Sequence, residues 1–159
     1  MGFPSGGHKT AVKVLESKEL VADGVQEMDI LMNIGKFKYG EYEYVTQDIM
    51  AVLEVAPKGM ITKVIIEINC LTDVEMLHAC EIVMNCKADF IKTGTGWVPG
   101  DANIERIEKI KKLTQGKIKV KAAGGIRTRE EFDSLLKLGV ERFGINTQSA
   151  LSIVESFKK

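Results

Sequence analysis

The feature that most constrains the fold of this chain is a regular alternation between short apolar runs and longer amphipathic stretches. The apolar runs begin 24 to 35 residues apart, which is the length of one strand plus one helix. They predict strands at 27–33, 62–68, 88–93, 117–123 and 141–145. The amphipathic stretches predict helices at 10–22, 41–55, 73–86, 103–113, 129–138 and 148–157.

Repeated strand and helix units of this kind predict an α/β fold. The strands are largely apolar on both faces, which is typical of a parallel sheet covered by helices and joined by right-handed crossovers. Longer, glycine-containing connections follow the strands, at 33–42, 93–103 and 124–128. Such connections form the active-site rim in α/β proteins. No linker or low-complexity segment divides residues 1–159, so we predict a single domain.

Composition narrows the classes of partner and compartment. Lys+Arg 22 equals Asp+Glu 22, so no global positive field attracts nucleic acid or an acidic membrane surface. Cys70, Cys80 and Cys86 are odd in number and lack CxxC spacing, which argues against a disulfide framework and a structural zinc site. From the cysteines we expect reduced thiols and a cytoplasmic location. From the charge balance we expect that any anionic ligand is bound by local groups.

Two lysines end apolar runs, which is an unusual place for a strongly hydrated group. Lys92 and Lys121 close the third and fourth predicted strands, and neighbouring strand ends lie within about 5 to 10 Å of one another. Repulsion and burial would favour the neutral amine, which is the nucleophile that forms a Schiff base with a carbonyl substrate. The alternative is that Lys121 alternates with Lys117 and Lys119 on a solvated strand face.

A carboxylate inside the first predicted strand also needs a partner. Asp29 lies between two apolar residues, and Lys92 or Lys121 would be a suitable partner. Such a group can relay protons during carbonyl addition and enamine formation. The alternative is a buried ion pair with a structural role. Glu67 is a weaker candidate of the same sort.

Glycine-containing turns form a second pattern. Turns at 94–96, 124–125 and 143–147 each join a strand to a helix. Backbone amides at such turns can bind phosphate, with added hydrogen bonds from Arg127 or Thr147. The alternative is that these are ordinary turn glycines. The first turn has GxGxxxG spacing, which is not the dinucleotide-binding fingerprint.

The chain resembles the deoxyribose-phosphate aldolase family over essentially its whole length. GFPSGGHKT, the strand with Asp29, KVIIE, ADFIKTGTG and KAAGGIRT occur in the order found in that family. The resemblance implies a TIM-barrel type fold, here an incomplete barrel comprising about strands 4 to 8 and the end of strand 3. It also implies reversible cleavage of 2-deoxyribose 5-phosphate to glyceraldehyde 3-phosphate and acetaldehyde through a lysine Schiff base, with no cofactor and no metal.

The resemblance implies roles for individual residues. Lys92 in the FIKT motif corresponds to the Schiff-base lysine, Lys121 before AAGG to the lysine that tunes its pKa, and Asp29 to the aspartate of the proton relay. Together with the glycine turns, it predicts a site for substrate and phosphate. The predicted residues of that site are Thr95, Gly96, Gly124, Gly125, Arg127, Gly144, Asn146 and Thr147.

The chain departs from the family pattern in three places. Gly94 replaces the usual serine after FIKT, and Asn146 with Thr147 replaces paired serines, so we expect a different phosphate affinity. The segment GFPSGG matches the end of the third family strand, so the first two strands are absent. A complete barrel usually needs at least about 200 residues. We expect open sheet edges and an uncovered apolar interior.

Those expectations bear on partners and on activity. A homo-oligomer, an exchanged element or a complementing N-terminal segment would cover the open edges. Alternative functions are a related Schiff-base aldolase that acts on another aldehyde or sugar phosphate, and an inactive sugar-phosphate binding or scaffold protein.

Overall fold

The computed structural model describes residues 1–101 and 103–158 and confirms the predicted α/β fold. The strands are β1 (Glu27–Leu31), β2 (Ile61–Ile65), β3 (Phe90–Lys92), β4 (Lys119–Ala123) and β5 (Arg142–Gly144). The α-helices are α1 (Thr10–Ala22), α2 (Ile34–Lys38), α3 (Tyr42–Leu53), α4 (Asp73–Asn85), α5 (Ile104–Thr114), α6 (Arg129–Lys137) and α7 (Thr147–Ser156). Within these two ranges, no helix has the length and apolarity needed to cross a membrane. Ala102, in the predicted connection 93–103, lies outside the described residues.

The five strands form one parallel sheet in the order β1-β2-β3-β4-β5. In the described part of the chain β1 and β5 are edge strands, so the sheet is not closed, which confirms the incomplete barrel. The sheet is nevertheless strongly curved. Its two edge strands come close enough for Glu27 of β1 to form an ion pair with Arg142 of β5. The concave face of this sheet therefore corresponds to a barrel interior.

Local hydrogen bonding explains where two predictions of secondary structure are wrong. The sequence predicts a connection without regular structure at 33–42, but this segment contains α2, whose first turn is capped where the Asn33 side chain accepts the Lys36 N–H at 3.0 Å. The predicted strand 62–68 ends early, because Glu67 adopts a left-handed backbone with φ of 50° and a 3-10 turn follows at Ile68–Cys70. Regular strand geometry therefore ends before Glu67, although the Ile68 N–H still donates to the Thr93 carbonyl oxygen at 2.8 Å.

The two faces of the sheet differ in chemistry because side chains alternate along each strand. The convex face packs against the helices to form the core, with Val64, Ile91 and Val120 all completely buried. The concave face carries charged side chains, so the prediction of an apolar interior is wrong. These charged residues are Glu27, Asp29, Lys63, Lys92, Lys119, Lys121 and Arg142.

A fully buried ion pair links two helices to the first strand. Lys13 of α1 and Asp48 of α3 have no exposed side-chain surface, and their charged atoms lie 2.6 Å apart. The Lys13 ammonium also donates to the Leu31 carbonyl oxygen at 3.0 Å, and the Thr10 hydroxyl donates to Asp48 Oδ1 at 2.7 Å. This network fixes α1 and α3 beside β1.

Candidate active site

The structure brings together the three residues for which the sequence predicted chemistry. Lys92 and Lys121 are register partners on the adjacent strands β3 and β4. Both ammonium groups donate to Oδ2 of Asp29, at 2.7 and 3.1 Å. Their side chains are only 13% and 19% exposed. The two lysines are therefore close, largely shielded from solvent, and joined through one carboxylate oxygen.

Asp29 has a third partner that sequence reasoning missed. The Lys63 ammonium lies 3.0 Å from Asp29 Oδ1 and 2.7 Å from Glu27 Oε2. Burial by itself raises the pKa of the Asp29 carboxyl, but hydrogen bonds from Lys92, Lys63 and Lys121 outweigh it and hold that pKa well below its usual range. Asp29 is therefore ionised throughout the neutral pH range.

The environment of Lys121 favours its neutral form. Burial lowers the pKa of the Lys121 ammonium, the charge of Lys92 lowers it further, and the hydrogen bond to Asp29 offsets only part of this effect. The alternative of a solvated strand face fits Lys117 and Lys119, which are exposed, but not the half-buried Lys121. The pair therefore carries the like-charge repulsion that the sequence predicted.

A cleft of about 460 Å³ lies beside the two lysines and contains most of the predicted substrate residues. Lys92 and Lys121 contribute to its wall. The predicted substrate and phosphate residues that also line it are Thr95, Gly96, Gly124, Gly125, Arg127, Gly144 and Asn146. Thr147 does not line the cleft. It is the first residue of α7 and is exposed, while the preceding Asn146 caps that helix.

The turn after β4 combines left-handed glycines with a capped helix start. Gly124 and Gly125 have φ values of 94° and 76°, a region that strongly favours glycine. A reciprocal cap then begins α6: the Thr128 hydroxyl accepts the Glu131 N–H, and the Glu131 carboxylate accepts the N–H groups of Arg127 and Thr128. The exposed Arg127 guanidinium lies 3.2 Å from Asp101 Oδ1. A cationic group thus stands beside a glycine turn at the cleft.

Glu67 holds the loop that follows Lys92 rather than joining the lysine pair. Its buried carboxylate accepts the Thr95 N–H at 3.0 Å and also accepts the Thr95 hydroxyl. A Cβ atom at Gly94 would lie 2.7 Å from Glu67 Oε1, too close without a shift of that side chain. Glycine at position 94 therefore matches the space that Glu67 leaves.

Comparisons with known proteins identify the family. A family model described as "Histidine biosynthesis protein" matches residues 98–158, which is less than half of the chain. A deoxyribose-phosphate aldolase from Sinorhizobium medicae is 46% identical over 155 residues, covering 97% of this chain and 62% of that protein. A deoxyribose-phosphate aldolase from Finegoldia magna is 44% identical over 155 residues, covering 98% of this chain and 71% of that protein.

The chain belongs to the deoxyribose-phosphate aldolase family. A solved structure of the aldolase QR15 has a TM-score of 0.91 at 42% identity, covering 99% of this chain and 70% of that chain. The tetrameric deoxyribose phosphate aldolase from Aeropyrum pernix has a TM-score of 0.86 at 26% identity, covering 100% of this chain and 66% of that chain. The chain thus spans about two thirds of the length of its deoxyribose-phosphate aldolase relatives.

We expect the stability of this chain to fall in acid because its concave-face carboxylates are ion-paired. Hydrogen bonds from Arg142 and then Lys63 lower the pKa of Glu27 from 4.5 to about 2, and the pKa of Asp29 is lowered as well. A depressed folded-state pKa stabilises the protein above the unfolded-state pKa, and this stabilisation is lost as the pH falls toward the folded-state value.

Urea unfolding followed at pH values between about 6 and 2 measures this dependence. The free energy of unfolding should be level near pH 6 and decline below about pH 4.5. Glu27→Gln should make the decline shallower. An unchanged slope in Glu27→Gln would show that this carboxylate does not contribute.

Proposed function

We propose that this chain carries the active site of a class I aldolase that reversibly cleaves 2-deoxyribose 5-phosphate to glyceraldehyde 3-phosphate and acetaldehyde. The observation that carries the proposal is the shared Asp29 Oδ2, to which both Lys92 and Lys121 donate beside the cleft. Membership of the deoxyribose-phosphate aldolase family supports the substrate. In this proposal Lys92 is the nucleophile, Lys121 tunes its protonation, and Asp29 moves protons.

Schiff-base formation requires Lys92 as a neutral amine. Because Lys92 and Lys121 donate to the same oxygen, Asp29 can pass a proton between them and leave the free electron pair on Lys92. The Lys92 nitrogen then attacks the C1 aldehyde carbon of the open-chain sugar. Protonation of the resulting hydroxyl and loss of water give the iminium ion.

Carbon–carbon cleavage uses the iminium ion as an electron sink. Removal of the proton from the C3 hydroxyl by the Asp29 and Lys121 pair forms a carbonyl at C3. The electrons of the C2–C3 bond move toward the iminium nitrogen, which becomes an enamine, and glyceraldehyde 3-phosphate departs. Protonation of the enamine carbon and hydrolysis by water release acetaldehyde and regenerate Lys92. Every proton and electron pair is accounted for without another reactant.

The other end of the cleft suits the substrate phosphate. The Gly124–Gly125 turn, Arg127 and Asn146 contribute to its wall. A phosphate bound there would compete with Asp101 for the Arg127 guanidinium, which is 62% exposed. Thr95, Gly96 and Gly144 line the same cleft and complete the proposed binding site. Thr147 lies outside it, so we assign phosphate contacts at this end to Asn146 rather than Thr147.

An assay of aldol cleavage tests the proposed function. We expect the purified chain to release glyceraldehyde 3-phosphate and acetaldehyde in equal amounts from 2-deoxyribose 5-phosphate. Because Gly94 and Asn146 depart from the family pattern, ribose 5-phosphate and unphosphorylated deoxyribose should be compared in parallel. Faster cleavage of another sugar phosphate would favour the related-aldolase alternative. Binding without cleavage of any of them would favour the inactive binding protein.

We expect Lys121→Met to weaken activation of the nucleophile while leaving Lys92 in place. Lys121 shares Asp29 Oδ2 with Lys92, so its removal takes away both the neighbouring positive charge and the group that can receive the proton of Lys92. The cleavage rate at pH 7 should fall about 10- to 100-fold, in the range expected for a proton-transfer group. The rising limb of the pH–rate profile should move to higher pH, and an unmoved limb would contradict the tuning role.

We also propose a homo-oligomer in the cytosol. The tetrameric state of the Aeropyrum pernix relative supports oligomerisation, and the open edges of β1 and β5 in the described residues give it a physical reason. An exchanged element or a complementing N-terminal segment would cover the same edges. The three thiols are free, which suits a reducing compartment. Sedimentation velocity tests the assembly, and a monodisperse monomer would count against it.

A further inference from the structure

Lys63 is a buried cation for which the proposed reaction has no direct use. Its side chain on β2 is only 3% exposed, and it does not line the cleft beside Lys92 and Lys121. Removal of an ammonium group from water is unfavourable unless it is paired and hydrogen-bonded. Lys63 meets that requirement by lying between two carboxylates, with Glu27 Oε2 at 2.7 Å and Asp29 Oδ1 at 3.0 Å.

We propose that Lys63 is a positioning residue, which holds Oδ1 of Asp29 so that Oδ2 alone faces both Lys92 and Lys121. This inference rests on the function proposed above, because it concerns the geometry of the same lysine pair. The evidence is the division of partners on Asp29: Lys63 occupies one oxygen, while the two lysines of the cleft share the other at 2.7 and 3.1 Å.

The sharing of one oxygen has a chemical consequence. A carboxylate that met only Lys92 and Lys121 could offer one oxygen to each, which would hold both lysines as separate, fully satisfied ion pairs. With Lys63 on Oδ1, both ammonium groups must converge on Oδ2. Convergence keeps the two positive charges close, which favours loss of one proton, and it gives that proton a single oxygen through which to move.

Lys63 is itself held from the far side of the concave face. Glu27 of β1 accepts from Lys63 and also forms an ion pair with Arg142 of β5. Hydrogen bonds from Arg142 and Lys63 lower the pKa of Glu27 to about 2, so Glu27 remains a carboxylate at any pH used for activity. Charges of alternating sign therefore run from Arg142 through Glu27 and Lys63 to Asp29.

Five elements and the chain terminus contribute the charged groups around Asp29. These groups are Glu27 of β1, Lys63 of β2, Lys92 of β3, Lys121 of β4, Arg142 of β5 and the Met1 amino group, which donates to the Asp29 carbonyl oxygen. Removal of Lys63 takes away a cation that lowers the pKa of Asp29, so that pKa should rise. The same removal takes away a charge that lowers the pKa of Lys121.

Three substitutions separate positioning from a general effect of charge. Lys63→Met removes the ammonium group with little change in length, and Lys63→Arg restores a cation. Lys119→Met is the matched control, because Lys119 is an exposed cation on the same face of the sheet, with its Nζ 5.5 Å from the Phe90 ring centroid. Register pairs Phe90 with both Lys63 and Lys119, so the two lysines occupy equivalent levels of the sheet.

Carboxyl-carbon NMR titration of Asp29 and the rate of borohydride trapping of acetaldehyde on Lys92 are the two measurements. In Lys63→Met we expect Asp29 to begin to protonate about one pH unit or more higher than in the unsubstituted chain, a tenfold change in proton affinity. Trapping at pH 7 should slow about 10- to 100-fold, the size of effect that a small misplacement of reacting groups produces. Lys63→Arg should recover part of both effects, and Lys119→Met should match the unsubstituted chain.

The outcomes distinguish this inference from the proposed function. Onset of Asp29 protonation at the same pH in Lys63→Met and the unsubstituted chain would overturn the inference, as would equal effects of Lys63→Met and Lys119→Met. The titration does not require activity, so an unsubstituted chain that forms no adduct contradicts the proposed function, while the pH at which Asp29 begins to protonate still decides the role of Lys63. If circular dichroism shows that Lys63→Met does not fold, Lys63→Gln, which keeps a neutral hydrogen-bond donor, is measured in the same way.

Discussion

Lys92→Arg should abolish aldol cleavage while leaving the fold intact. A guanidinium group can still donate to Asp29 Oδ2, which Lys92 contacts at 2.7 Å, but it does not lose its proton near neutral pH and cannot form a Schiff base. We expect the rate to fall at least about 1,000-fold, as is usual when a covalent nucleophile is removed. The measurement is the release of glyceraldehyde 3-phosphate from 2-deoxyribose 5-phosphate.

Lys119→Arg is the matched control for this substitution. Lys119 is exposed on the neighbouring strand β4 and makes no ion pair in the described part of the chain, so its replacement should leave the rate within about twofold of the unsubstituted value. Circular dichroism should show the same helix content in both variants. Retention of substantial cleavage by a folded Lys92→Arg would remove Lys92 from the nucleophile's role.

Asp48→Asn should produce the largest loss of stability. The Lys13 and Asp48 side chains are completely buried and their charged atoms lie 2.6 Å apart, so the substitution leaves the Lys13 ammonium without its anionic partner. Removal of one member of a buried ion pair typically destabilises a protein by about 3 to 5 kcal/mol. Urea unfolding at pH 7 measures this change. Lys92 and Lys121 pair with Asp29 and not with Asp48, so the folded fraction should retain the trapping activity of the unsubstituted chain.

A double substitution tests the cause of that loss. Lys13→Met with Asp48→Leu replaces both charges by apolar groups, and such replacements are often neutral or stabilising. The double variant should therefore recover most of the free energy of unfolding that Asp48→Asn loses. If it is as unstable as Asp48→Asn, packing around α1 and α3 rather than the unpaired charge determines the effect.

The periodicity of the sequence predicted the fold well, because each unit follows the local pattern of one strand and one helix. The predicted helix 10–22 coincides with α1, and the five predicted strands all occur, although each is shorter than its apolar run. The sequence analysis missed helix α2. This helix is only five residues long, too short to show a helical period, and it depends on the side-chain cap by Asn33. The apolar runs extend beyond the paired residues at one or both ends, so the predicted strands are longer than the observed ones.

The candidate site was partly predictable. Lys92, Lys121 and Asp29 stood out because each interrupts or ends an apolar run. Lys63 did not, since it precedes the apolar stretch of KVIIE and looks like an ordinary strand boundary. Its importance depends on register, which places Lys63 directly beside Asp29 on β1. The sequence did contain one signal for Lys63. Glu27 and Asp29 lie two residues apart on one strand, so their carboxylates share a face of the sheet.

The sequence predicted an apolar barrel interior because the orientation of the strand lysines cannot be read from one strand. A strand with alternating lysine and apolar residues, such as Lys119–Ala123, can turn its lysines to solvent or to a barrel interior. The sequence of β4 alone does not distinguish these orientations. The carboxylates of β1 decide between them, because Glu27 and Asp29 supply the counter-charges that the lysines and Arg142 need on the concave face.

The most direct test of this account is the position at which acetaldehyde becomes trapped on the unsubstituted chain. Brief incubation with acetaldehyde and borohydride at pH 7, followed by peptide mapping, should place an ethyl group on Lys92 at least about tenfold sooner than on the 73% exposed Lys112. Ethylation of Lys112 as fast as Lys92, or no ethylation of Lys92, would contradict the assignment of Lys92 as an activated amine.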